Sequence, residues 1–101
     1  MAAFPVRLVY MQVDRNEDEP AAKIMVSVPK RCFKRAVKRN RVKRQLREAY
    51  RTNKQLLWQR MENHPDKALL LAFIWTDTQL HDTAVVEQKM KNLLTRVSER
   101  L

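Results

Sequence analysis

The sequence predicts one α+β domain, a small sandwich of helices on a sheet, with the element order β-β-α-β-α. Its 101 residues, with a mass of 12.1 kDa, suffice for a single compact domain, which is expected to span residues 1–101. Three patterns predict this class: two short segments rich in β-branched residues near the N-terminus, one uninterrupted apolar run, and two segments with apolar residues at helical spacing.

Three strands are predicted along the chain. Residues 6–13 and 22–28 are short, rich in β-branched residues and bounded by turn-forming residues, and the acidic loop 14–20 separates them. Residues 68–75 form the longest uninterrupted apolar run of the chain, eight residues. Because its side chains are apolar on both faces, this run is predicted to be a central strand that is covered on both sides.

A long amphipathic helix is predicted between the second and third strands. Pro29 puts its start after that residue, between Arg31 and Ala36, and the segment His64-Pro65-Asp66 ends it. Its core-facing stripe consists of Val42, Leu46, Ala49, Tyr50, Leu56 and Leu57. The opposite face, which extends over roughly 20 Å, carries polar residues at spacings of three and four: Asn40, Lys43, Arg44, Arg47, Arg51 and Lys54.

A final helix is predicted from Asp82, which is a suitable N-cap residue, to Leu101. Its apolar residues recur at the spacing of a core-facing stripe: Val86, Met90, Leu93, Val97 and Leu101. The two tryptophans, Trp58 and Trp75, are expected to lie in the core with them.

The charge of the chain is concentrated in one segment. The sequence has 21 Lys and Arg against 11 Asp and Glu, which gives a net charge of +10. Residues 30–51 contain eleven of the basic residues and one acidic residue, Glu48, so the rest of the chain is neutral in total. Apolar residues at helical spacing distinguish this segment from a disordered basic tail, and its single sign of charge predicts a polyanion as the partner.

The composition excludes several classes of protein. The chain has no glycine, which excludes the Gly-rich loops that bind nucleotide phosphates. The single cysteine, Cys32, cannot form an intramolecular disulfide, and two histidines are too few to predict a zinc site with it. No apolar run approaches the ~20 residues of a membrane span. No basic-then-apolar leader opens the chain, so a cytoplasmic location without a membrane partner is expected.

The basic segment also carries a specific motif. From Ala36 the sequence reads Ala-Val, then Arg-Asn-Arg, Lys-Arg, Arg-Glu and a further Arg at position 51, and a Ser-Val-Pro-Lys-Arg stretch from Ser27 precedes it. This pattern resembles the signature of the protein subunit of bacterial ribonuclease P, and the resemblance covers roughly residues 5–101. It implies a ribonuclease P protein-like fold with a left-handed β-α-β crossover.

The resemblance further implies a function in tRNA processing. The subunit binds a large catalytic RNA and the 5′ leader of precursor tRNA, and it assists the Mg²⁺-dependent removal of that leader. On this resemblance the catalytic centre and the Mg²⁺ belong to the RNA of the holoenzyme, so the chain itself is expected to hold no catalytic residue and no metal. A DNA partner is not expected.

Binding residues are assigned by their match to the motif. The RNA-binding set is Arg39, Asn40, Arg41, Lys43, Arg44, Arg47, Arg51, Lys30 and Arg31, and the leader-binding residues are Tyr10 and Ser27. Members of the family usually begin with a basic helix that forms one wall of the leader cleft, whereas this chain opens directly into the first strand. Val6, Leu8 and Tyr10 are therefore expected to be partly uncovered, which predicts self-association and weak discrimination between leaders.

Alternatives from other classes stay open at this point. A non-enzymatic RNA-binding protein, of the ribosome-associated or RNA-chaperone type, can use the same cationic helix. A helix-turn-helix is disfavoured because the elements before the basic helix read as strands. A membrane-surface helix is disfavoured because its apolar residues are needed for the core. Selective affinity for folded RNA over duplex DNA and anionic vesicles separates these alternatives.

Overall fold

The protein consists of a four-stranded sheet with helices packed on one face, and the computed structural model describes all residues, 1–101. The elements in chain order are β1 (Ala2–Ala3), β2 (Val6–Asp14), β3 (Ala22–Ser27), α1 (Ala36–Asn53), α2 (Gln55–Met61), β4 (Lys67–Trp75) and α3 (Thr83–Glu99). The α+β class and the predicted order of the main elements are confirmed. The structure adds a two-residue first strand and divides the long helix into two.

The sheet has the strand order β1-β2-β4-β3, so β4 lies in its interior. β4 pairs antiparallel with β2 and parallel with β3, and Phe73 is opposite both Leu8 and Val26. Because parallel neighbours cannot be joined by a hairpin, α1 and α2 form the crossover from β3 to β4. This connection places α1 against the sheet along one side of the helix and leaves its other side in solvent.

One hydrophobic core lies between the sheet and the helices. The sheet contributes alternate side chains, of which Leu8, Phe73 and Trp75 are fully buried. The predicted helical stripes are also buried, at Val42, Leu46, Ala49, Tyr50 and Leu57 in the first two helices and at Val86, Met90, Leu93 and Val97 in α3. Trp58 is only partly buried and packs against this cluster from the side.

Two packing predictions are wrong. Leu56 is 41% exposed, because the helix is interrupted at Lys54 and α2 does not continue the phase of α1. The backbone N–H groups of Leu57 and Trp58 both donate to the carbonyl oxygen of Lys54 at this junction. The central strand β4 is covered on one face only, and Leu70 is 38% exposed on the other face because no helix packs there.

The N-terminus of α3 is anchored to α1. Asp82 takes the N-cap position as predicted, although its side chain makes no capping hydrogen bond, and the helix ends at Glu99 rather than at Leu101. The buried Gln45 of α1 donates through Nε2 to the carbonyl oxygen of His81 and to Oγ1 of Thr83. None of the three helices has the length and apolar character needed to cross a lipid bilayer.

A His–Asp pair, to which the sequence analysis assigns no role, closes the loop between β4 and α3. Nε2 of His81 lies 2.7 Å from Oδ2 of Asp77, and the His81 ring contacts the rings of Trp75 and Phe4 edge-on. The hydrogen bond with His81, together with the backbone N–H groups of Gln79 and Thr78, lowers the pKa of Asp77. The pair therefore holds an ionised carboxylate at the edge of the core.

We expect the replacement Asp77→Asn to reduce stability in a pH-dependent way. Because the folded state lowers the pKa of Asp77, the contribution of this carboxylate is fully present above the ordinary Asp pKa of about 4 and is lost as the pH falls through the lowered value. Urea unfolding should show the variant to be less stable than the native chain at pH 7, with a difference that shrinks below about pH 4. The matched control Asp18→Asn, at an exposed loop position, should show no such difference; an equal loss in both variants would contradict the assignment.

Candidate RNA interface

The solvent side of α1 and its C-cap carries six basic residues and one amide, which we call the basic face: Asn40, Arg41, Lys43, Arg44, Arg47, Arg51 and Lys54. Arg41, Arg44 and Arg47 are exposed and have no ion-pair or hydrogen-bond partner in the chain. The opposite side of the same helix is anchored by the fully buried Val42 and Leu46. The fold thus holds several guanidinium groups close together in solvent, where mutual repulsion favours a bound polyanion.

A shallow cavity of about 380 Å³ lies at the middle of the basic face, lined by Asn40, Arg44, Arg47, Glu48 and Arg51. Arg51 pairs with Glu48, and its Nε donates to Oε2 at 3.1 Å. This hydrogen bond lowers the pKa of Glu48 and raises the pKa of Arg51, so both groups are charged. Arg44 and Arg47 are left as free, planar donors, and this geometry suits the oxygens of phosphate.

Arg39 has a structural role that the sequence did not indicate. It is partly buried, and its Nη1 donates to the carbonyl oxygens of Phe33 and Lys34, both at 2.8 Å. These bonds close the turn before α1, whose N-cap residue, Arg35, makes no side-chain capping bond. Arg39 therefore helps to fix the start of the basic face, and its contact with RNA stays a prediction.

The structure gathers part of the predicted RNA-binding set and separates the rest. Asn40, Arg44, Arg47 and Arg51 border one cavity. Lys30 and Arg31 are exposed in the turn before α1, which is closed by a hydrogen bond from the N–H of Cys32 to the carbonyl oxygen of Pro29. Their place in the interface stays a prediction.

The two predicted leader-binding residues point to different faces of the sheet. Tyr10 alternates in phase with Val6 and Leu8 and packs, partly buried, against the core. Ser27 is opposite Ile74 and belongs to the face that no helix covers. The structure therefore does not place these two side chains together, and their leader-binding role stays a prediction.

The apolar patch predicted from the sequence lies on the wrong side of the sheet. Val6 and Leu8 are 1% and 0% exposed, because the helices cover that face. The uncovered residues are instead Val9, Met11, Met25 and Leu70, which we call the open sheet face. They line a cavity of about 360 Å³, to which Tyr10 also contributes and whose one charged residue is Lys23. β2 has apolar residues on both of its faces, Val6 and Leu8 on one and Val9 and Met11 on the other. This pattern was the signal in the sequence for the open sheet face.

The titratable groups of the chain do not form a metal centre. No three His, Cys, Asp or Glu side chains are grouped in a way that could hold a metal ion. Cys32 is buried, and its Sγ–H donates to the carbonyl oxygen of Trp75 at 3.7 Å. The chemistry that the exposed surface supports is the binding of anions on the basic face and of apolar or aromatic groups on the open sheet face.

Comparison with known proteins identifies the family. The Ribonuclease P family model matches residues 3–98. The ribonuclease P protein components of two strains of Porphyromonas gingivalis are each 40% identical to the chain over 95 residues, covering 94% of this chain and 68% of the relative. The solved structure of the RNase P protein from Thermotoga maritima superimposes with a TM-score of 0.69 at 21% identity, covering 95% of this chain and 80% of that one.

A second structure of the Thermotoga protein, in complex with 1-(4-fluorophenyl)-2-thiourea, superimposes with a TM-score of 0.63 at 22% identity, over 88% of this chain and 78% of that one. At these identities the structural likeness shows the fold, whereas the family match and the 40% identical relatives show the kind of protein. The motif on α1, the fold and these relatives agree. The chain belongs to the ribonuclease P protein family, whose members are RNA-binding subunits in the processing of precursor tRNA.

Proposed function

We propose that this chain is the accessory subunit of a holoenzyme whose catalytic centre lies in the RNA. The observation that carries the proposal is the basic face of α1, on which Arg41, Arg44 and Arg47 are exposed without any partner in the chain. These groups are suited to neutralise phosphates that crowd around a folded RNA. We infer that the protein works in the cytoplasm, bound to a ribonuclease P RNA and to precursor tRNA.

We further propose that the Mg²⁺ needed for cleavage is held by the RNA. The donor groups of this chain do not fit a magnesium site, because Mg²⁺ requires carboxylates and other oxygens in near-octahedral geometry. The carboxylate on the basic face, Glu48, is already bonded to Arg51. The protein contributes cations instead, which reduce the concentration of Mg²⁺ that is needed to screen the phosphates.

The open sheet face is our candidate for the single-stranded 5′ leader. It offers apolar surface at Met11, Met25 and Leu70 against which bases can pack, with Lys23 beside it for the backbone. The same surface is also open to a second copy of the chain, since uncovered apolar patches favour association. Leader binding and self-association therefore compete for one surface.

Reconstitution with a bacterial ribonuclease P RNA tests the proposed function. The purified chain alone should cleave no precursor tRNA at any Mg²⁺ concentration, whereas its addition to the RNA should raise cleavage at low Mg²⁺. A neutral carrier protein at equal mass serves as the control. Metal-dependent cleavage by the RNA-free chain would place the catalytic centre in the protein. No stimulation despite tight binding would instead favour the non-enzymatic RNA-binding alternative.

A further inference from the structure

A third cavity, of about 350 Å³, lies at the C-terminal end of the basic face, between α2 and the loop after β2. Its apolar lining includes the buried Ala21 and Met61 and the partly exposed indole of Trp58. Its polar lining consists of Arg15, Gln55 and Glu62. Nothing in the family motif or in the basic-face chemistry accounts for this combination.

The cavity continues the line of the basic face. Arg44, Arg47, Arg51 and Lys54 follow one another at spacings of three and four up to the C-cap of α1, and Trp58 lies in the first turn of α2. Lys54 and Trp58 are in contact across the helix junction, where Nζ of Lys54 lies 5.2 Å from the centre of the Trp58 ring. Lys54 does not line the cavity, so it leaves the cavity side of the indole free. A polyanion that follows the basic face therefore arrives at this aromatic surface.

The aromatic and cationic groups of the cavity are held in place by bonds that leave their binding surfaces free. Nε1 of Trp58 donates to Oη of the buried Tyr50 at 3.0 Å, which fixes the plane of the ring. Nε of Arg15 donates to the carbonyl oxygen of Glu19 at 2.9 Å. The backbone N–H of Arg15 donates to the carbonyl oxygen of Asp66. The Nη groups of Arg15 have no partner in the chain. Such positioned, unused donors beside a flat ring are the components of a binding site.

The polar groups indicate what kind of ligand fits. Gln55 offers an amide donor and an acceptor, Glu62 offers a carboxylate acceptor, and neither side chain is used within the chain. Arg15 balances the charge of Glu62, so the cavity is near neutral, in contrast to the basic face. A phosphate is disfavoured beside Glu62, whereas a planar group with donors and acceptors on its edge can stack on the indole and bond to these residues.

We propose that the Trp58 cavity binds one unpaired base of an RNA whose backbone lies along the basic face. The base stacks on Trp58, and its edge is bonded by Arg15, Gln55 and Glu62. This inference rests on the proposed RNA contact of α1 and adds to it a place where a base, rather than a phosphate, is bound.

The test compares single-stranded RNA hexamers of adenosine with hexamers of the same length whose riboses carry no base. The native chain should bind the adenosine hexamer about 5- to 150-fold more tightly, which corresponds to one stacked base. Tryptophan fluorescence should change on addition of the adenosine hexamer but not on addition of the abasic hexamer. This signal reports Trp58, because Trp75 is fully buried.

Variants assign the base preference to the cavity. Trp58→Leu should remove most of it, and Trp58→Phe should restore part of it. Because Trp58 contacts the core, Arg15→Gln provides a second variant at a loop position; it should weaken binding of the adenosine hexamer more than that of the abasic hexamer. The matched control Arg60→Gln removes one charge from α2 outside the cavity and should weaken both hexamers equally.

Each outcome decides between the two proposals. Equal binding of the two hexamers, or a base preference that survives in both Trp58→Leu and Arg15→Gln, would overturn the cavity proposal and leave RNA binding by the basic face intact. Failure of both hexamers to bind the native chain would contradict RNA binding by the basic face and, with it, the cavity proposal.

Discussion

Replacement of Arg44 and Arg47 by alanine is expected to weaken binding to ribonuclease P RNA roughly 25- to 60-fold at about 0.1 M salt. Both side chains line the central cavity of the basic face and have no partner in the chain, so their loss removes two phosphate contacts. If the face neutralises roughly six phosphates, the plot of log K against log salt has a slope near −4 to −5, and the double variant should flatten it by about 1.5.

The measurement is a salt titration of RNA binding, with circular dichroism as a check on the fold. Both arginines lie on the side of α1 opposite Val42 and Leu46, so the helical spectrum should be unchanged. The double variant Lys91→Ala, Arg100→Ala removes the same charge from exposed positions on or next to α3 and serves as the matched control. A slope that changes equally in both double variants would mean that net charge, rather than the basic face, determines binding.

The second large effect is expected on the open sheet face. Met25 is 62% exposed, so it can be replaced by Glu or by Lys without loss of core packing. If the 5′ leader lies on this face, Met25→Glu places a negative charge beside its phosphates and should weaken binding of long-leader precursor tRNA about three- to tenfold at low salt. Met25→Lys should preserve or strengthen that binding. Titration of holoenzyme with long- and short-leader precursors measures the difference.

The same pair of variants distinguishes leader binding from self-association. An interface between two copies depends on the apolar character of the face, so Glu and Lys should disrupt it alike. Light scattering of the free proteins reports this directly. If both variants turn an associated form into a monomer while leaving long- and short-leader binding unchanged, the face serves association, and the leader lies elsewhere.

The sequence was sufficient to predict the class of the fold and the chemistry of α1. The spacing of Val42, Leu46 and Tyr50 determines which side of the helix is buried, and the position of Arg44 and Arg47 between those residues determines which side is cationic. This prediction succeeded because the helical period is local, so that seven or eight consecutive residues specify both faces.

Assignments that depend on non-local contacts could not be made in this way. The choice of Val6 and Leu8 as the uncovered residues was wrong because β2 is apolar at alternate positions on both faces, and its sequence alone does not say which face the helices will cover. The role of Arg39 was missed for a related reason, since its bonds go to carbonyl oxygens whose positions depend on how the preceding turn folds.

What the sequence determined by itself is therefore local: the strands, the helices, and a basic face whose charge follows from residues three and four apart. The tertiary structure alone decided how the loop after β2 packs against α2, so that Arg15 and Trp58 line the same cavity. It also decided that His81 pairs with Asp77 and that one side of β4 stays open. The physical reason is that burial is decided by competition among all apolar surfaces of the chain, and no single segment records the outcome.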